Sequence, residues 1–180
     1  MGQFLAIGLA TKIYVEQREL NAAQLTLDLL IERIREKLYF PPEIYETKEA
    51  KEGYSLNLKD YIIYEQLIPF LETIYPILYK NPVRYENTLE KLRTLPPSEW
   101  LNWAEGKPTE EFQSDEYGMS DTIKEKFKTV HLHYKSIILS MEGKISMEVY
   151  GRQFSFFKYT MNETFKKFSL SGALRIYITG

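Results

Sequence analysis

The sequence predicts an α+β fold: a single domain over 1–180, with a central antiparallel or mixed sheet and helices packed mainly on one face. Three stretches carry that prediction. Residues 4–15, FLAIGLATKIYV, alternate with period two. Leu5, Ile7, Leu9, Ile13 and Val15 fall on one side, and Ala6, Gly8 and Ala10 on the other, flanked by Phe4 and Lys12. Successive side chains of a strand point to opposite faces, so this segment has a bulky apolar side and a small flat one. A strand covered on both faces has that pattern, which places it in the middle of the sheet. Over 22–39, Leu27, Leu30, Ile34 and Leu38 recur at three, four and four, the spacing of a helix with one buried stripe. Near the other end, Leu174, Ile176 and Ile178 alternate with Arg175, Tyr177 and Thr179, giving a half-buried strand.

A chain of 180 residues suits one domain, and a domain of this size buries about 70% of its unfolded surface, enough for a substantial core. Cysteine is absent. Disulfides, thiol nucleophiles and cysteine zinc sites are therefore excluded, and the lack of covalent staples points to the cytoplasm. The most apolar later window, 61–79, contains Glu65, Gln66 and Glu72, so no membrane span is expected.

In chain order, Asn21 can cap the 22–39 helix, and Pro41 and Pro42 end it, because proline supplies no N–H and disfavours helical backbone before it. Over 43–59, Ile44-Tyr45 and 54–58 read as short strands around the charged segment 46–53. Leu56 and Leu58 mark the second as half-buried, near a sheet edge. Asp60 caps a helix bearing Ile63, Leu67, Phe70, Ile74 and Ile77, which Pro69 and Pro76 kink or split. Pro82 opens a third helix, with Tyr85, Leu89 and Leu92 in register, closed at Pro96 and Pro97. Ser98 caps a short helix over 99–105 that carries Trp100 and Trp103. Residues 106–119 show no hydrophobic period and read as a mobile loop.

From Ser120 two patterns compete. Ile123, Phe127, Val130, Tyr134, Ile137 and Met141 step at helical intervals, yet 129–141 is rich in β-branched and aromatic residues. A three-residue turn ending at Gly143 pairs 139 with 145 and 137 with 147, which puts Ile137, Leu139, Ile145, Met147 and Val149 on one face. That coherence favours a hairpin and leaves a helix only over 121–128. Phe154, Phe157, Met161, Phe165 and Phe168 then form another helical stripe before the terminal strand.

Chemical signatures are sparse. No GxGxxG, P-loop, GxSxG or HExxH occurs, so no cofactor is expected. The histidines are His131 and His133. On a strand both rings project from one face, near enough to share a metal with a third ligand; the alternative is two polar residues on a solvated face. Residues 121–180 carry a net charge of +5 and residues 1–120 a net of −7. The basic aromatic third offers a way to bind single-stranded nucleic acid. Its phenylalanines hold core register, however, and its charge is spread too thinly for a nucleic-acid footprint. The leading expectation is a non-enzymatic, accessory or inhibitor/immunity-like module that binds a protein partner. Trp100, Trp103 and Tyr117, with exposed tyrosines such as Tyr45 and Tyr54, would supply contact area, and acids including Glu110 and Glu111 would complement a basic partner. The rival is a small-molecule-binding protein or enzyme, its ligand approaching the backbone over Gly8 beside His131 or His133.

Overall fold

β1 (Phe4–Glu16) has neighbours on both edges, as its two-sided apolar pattern predicts, in the computed structural model, which describes residues 4–78, 83–96, 113–126, 128–142, 170 and 173–179. Along one edge it pairs with β5 (Lys128–Glu142), from Leu5↔Glu142 to Tyr14↔His133. The other edge is shared end to end. β6 (Leu174–Thr179) covers Phe4 to Leu9, and β3 (Gly53–Leu58) covers Lys12 to Glu16. β2 (Tyr45–Ala50) lies beyond β3, and β4 (Gln113–Glu125) beyond β5. The order is β2-β3-β1-β5-β4 with β6 on β1, and every pairing is antiparallel. β3 thus lies one strand in from the β2 edge, with Leu56 and Leu58 buried and Asn57 between them half-buried, the near-edge strand that the alternation predicts.

Where β6 gives way to β3, the middle of β1 needs other hydrogen-bond partners. The Ala10 N–H donates to the Ala173 carbonyl (3.2 Å), and the Ala10 carbonyl accepts from the buried Tyr45 hydroxyl (2.6 Å). Thr11 is the extra residue of a β-bulge: pairing jumps from Ala10↔Ser136 to Lys12↔Lys135, and the Thr11 hydroxyl donates to the Lys135 carbonyl (3.1 Å). An inserted residue moves the side chains that follow to the opposite face. Ala10, Ile13 and Val15 therefore all sit in the core, fully buried. This corrects the expectation that Ala10 and Ile13 occupy different faces. It also corrects Tyr45, expected as an exposed contact: it is 5% exposed, its ring edge-on to Phe40 at 5.7 Å. Tyr54 is half-buried.

The helices cover one face of the sheet, as predicted. α1 (Gln17–Ala23) and α2 (Leu27–Leu38) replace the single helix expected over 22–39. Gln24 turns into the left-handed region (φ 55°), and Thr26, not Asn21, caps α2 by accepting from the Leu29 N–H at 3.3 Å. Asn21 instead lies inside α1, where its side chain accepts from Gln17 (2.8 Å). After a 3₁₀ turn at Pro42–Ile44, which takes Ile44 out of the expected strand, α3 (Asp60–Ile62) leads through a π turn (Ile63–Leu67) into α4 (Ile68–Leu78). Pro69 has no N–H to return to the carbonyl of residue 65, and the widened turn comes just ahead of it. α5 (Val83–Thr94) begins where Pro82 predicts. Leu30, Ile34, Leu67, Phe70 and Leu92 from these helices share one core with Ile13, Val15, Leu56, Val130 and Leu132 of the sheet.

Two sequence expectations fail in β4. Gln113–Glu125 is strand, so 113–119 is not loop and 121–125 is not helix. Ile123 is buried while Thr122 and Lys124 are exposed, an alternation of two. The helical spacing from Ile123 to Val130 arises because a two-residue turn between Glu125 and Lys128 shifts the phase between two strands. The strand reading of 129–141 holds. The turn at Gly143, its partner 145–149, the phenylalanine stripe and the 99–105 helix lie outside the described residues. Among the described residues, no helix is long and apolar enough to cross a membrane.

Candidate functional site

With the helices on one side, the alternation of each strand puts a second set of residues on the opposite face. Register lines them up in rows. One row runs Glu46, Asn57, Lys12, Lys135; the next runs Lys48, Ser55, Tyr14, His133, Ser120. Lys48 is exposed, and Lys12, Tyr14, Asn57 and His133 are partly so. The Asn57 amide donates to the Ser55 hydroxyl at 3.1 Å. Lys48 pairs with Glu46, and that hydrogen bond holds its ammonium above the ordinary value despite some burial. Lys135 is only 6% exposed; burial lowers its pKa, with the neighbouring Lys12 acting in the same direction.

Farther along β5, beyond its last pairing with β1, α1 takes over the open edge. The Glu19 carboxylate accepts from the backbone N–H of His131 at 2.8 Å, a side chain standing in for a missing strand. The β4–β5 turn is anchored from the other side by α2. Glu125 accepts from Arg33 (3.1 Å) and Lys37 (3.4 Å), and Lys37 also donates to the Lys124 carbonyl (2.8 Å). Partial burial pushes the Glu125 carboxyl up, but Arg33 and Lys37 outweigh it and hold it below its ordinary value. Deeper in the same hairpin, Tyr134 donates to Asp121 at 2.8 Å. A shallow cavity of about 520 Å³ at the start of α1 is lined by Glu16, Gln17, Arg18, Asn21 and Glu52. There Glu16 pairs with Arg18 and Gln17 with Asn21, so its polar groups largely satisfy one another.

Of the residues singled out in the sequence, Trp100, Trp103, Glu110 and Glu111 lie outside the described residues. Tyr117 lies in β4, at an irregularity where pairing jumps from Glu116↔Lys135 to Met119↔Tyr134. His131 and His133 do share a face of β5, their rings 6.5 Å apart and tilted by 34°. Among the described residues, no group of three His, Cys, Asp or Glu converges as a metal would require. The site over Gly8 beside the histidines is not assembled either. Gly8 lies across from Ile138 and His133 across from Tyr14, six positions farther along β1, or about 20 Å at roughly 3.3 Å per residue.

Two sets of residues lie beyond the sequence expectations: the row of Lys12, Tyr14, Lys48 and Asn57, and the lysines of the β4–β5 turn. The former are brought side by side only by the pairing of β2, β3 and β1. The latter carry a visible signal, the KEKFK run at 124–128, inside a segment whose spacing predicts a helix. Comparison with protein-family models, with curated proteins and with solved structures finds no match to this chain.

Proposed function

We propose that this chain is a cytoplasmic, non-enzymatic protein-binding module whose contact surface is the sheet face opposite the helices. The observation that supports this is the grid of accessible Lys12, Tyr14, Asn57, Lys48 and His133 on adjacent strands. Strands lie about 4.8 Å apart, so these groups form a flat surface whose backbone is already ordered. A rigid surface loses little conformational freedom on contact. Tyrosine in its middle supplies area at low entropic cost, and the surrounding donors and acceptors set orientation. Affinity capture from the source cell tests the reading, comparing the parent with Lys12→Glu/Lys48→Glu. One partner held near stoichiometrically by the parent, and lost from the variant at unchanged Tm, is expected. A partner held equally by both proteins, or none above background, overturns it.

A further inference from the structure

We infer that the tip of the β4–β5 hairpin docks onto an acidic patch of the protein partner, an inference that rests on the protein-binding reading above. The chain reverses between Glu125 and Lys128, with Lys126 at φ 52°. Lys124, Lys126 and Lys128 are all exposed. Among the described residues none of the three joins an ion pair. The turn has one acid of its own, Glu125, and α2 engages it from behind through Arg33 and Lys37. Arg33 also meets Glu36 at 3.0 Å. The tip and its anchor thus gather five cations, Arg33, Lys37, Lys124, Lys126 and Lys128, around two carboxylates, Glu36 and Glu125. Both carboxylates are held by the helix cations; Lys124 and Lys126 face solvent, and Lys128, across from Glu125 in register, closes no ion pair among the described residues.

Their chemistry selects the occupant. A lysine ammonium is a point charge that meets a carboxylate in many orientations. Lys124 and Lys128 stand on opposite faces of the ribbon with Lys126 at its tip, so the three cations surround the end of the hairpin. A nucleic-acid track needs several phosphate contacts spread along a strand, which three lysines at one turn do not supply. A small group of Asp and Glu side chains on a folded partner matches the size and sign of the tip.

Fluorescence anisotropy with labelled decaglutamate, and with oligothymidylate of similar length, tests this. Decaglutamate should bind in about 20 mM salt and weaken severalfold by about 150 mM, as screening shortens the reach of surface charge. K124Q/K126Q/K128Q should lose that binding at unchanged Tm, and Glu125→Gln, which removes the turn's carboxylate, should tighten it. No binding, equal binding by the triple variant, tighter binding of oligothymidylate, or no tightening in Glu125→Gln overturns the inference. In the capture experiment, a partner retained by the triple variant but lost with Lys12→Glu/Lys48→Glu overturns this inference while leaving the protein-binding reading intact.

Discussion

Replacing Tyr45 by Phe removes one hydrogen bond and almost no volume. The Tyr45 hydroxyl donates to the Ala10 carbonyl at 2.6 Å, in the stretch of β1 that neither β6 nor β3 pairs. Tyr45 is 5% exposed and Ala10 fully buried, so water does not readily replace the lost donor. The ring stays against Phe40, so no cavity opens. The cost is that of stranding a buried acceptor, about 1–3 kcal/mol. A loss near 2 kcal/mol corresponds, in a chain of this size, to roughly 4–8 °C in Tm. Urea unfolding followed by circular dichroism should show a lower midpoint at unchanged m. Hydrogen exchange at the Ala10 amide, which bonds the Ala173 carbonyl, should accelerate as the junction loosens. A loss under about 0.5 kcal/mol, the range of featureless surface changes, with exchange unaltered, refutes the idea that this hydroxyl closes the gap in the sheet.

Other perturbations test other joints. Gly53→Ala would drive a Cβ into the Val15 carbonyl oxygen and to 2.9 Å from the Gln17 nitrogen, all backbone neighbours that cannot swing away. A loss of about 2 kcal/mol or more in urea unfolding is expected, and a neutral result contradicts the close approach of β3 to the end of β1. Tyr39 ends α2 at φ 55° while 81% exposed, so Tyr39→Gly relieves a left-handed backbone at little packing cost. It should stabilise by about 0.5–1 kcal/mol, and destabilisation would show that the exposed ring makes a contact of consequence. The folded protein holds the Glu125 proton less readily than the unfolded chain, whose ordinary value is 4.5. Stability from the Arg33 and Lys37 contacts is therefore complete above that value and fades as pH falls below it. Glu125→Gln should lower stability at neutral pH and flatten the acid limb; urea midpoints with equally steep acid limbs in both proteins contradict the assignment.

Legibility in the sequence follows the range of the forces involved. The strand at 4–16, the α5 helix after Pro82 and the terminal strand at 174–179 each carry a periodic apolar pattern bounded by a clear signal, and each forms. The break at Gln24 was harder to read, because a left-handed glutamine has no compositional mark, whereas Thr26 was available as a cap all along. The candidate surface was least legible of all. Lys12 and Tyr14 alternate visibly with Ile13 and Val15, but which residues of β2, β3 and β5 stand beside them depends on register.

Alone, the sequence determines which segments own an apolar side, where prolines stop them, and which chemistries lack the residues to occur, since these depend on neighbours within a turn or two of chain. Phase and partnership belong to the tertiary structure. The hydroxyl of Tyr45 finds a carbonyl 35 positions away, and that of Thr11 one 124 positions away. Buried polar groups must be satisfied wherever the fold brings them, and no local period encodes which distant atom will do it. Which residues stand side by side on a face, and hence the make-up of the surface proposed to meet a partner, is settled by those long-range bonds.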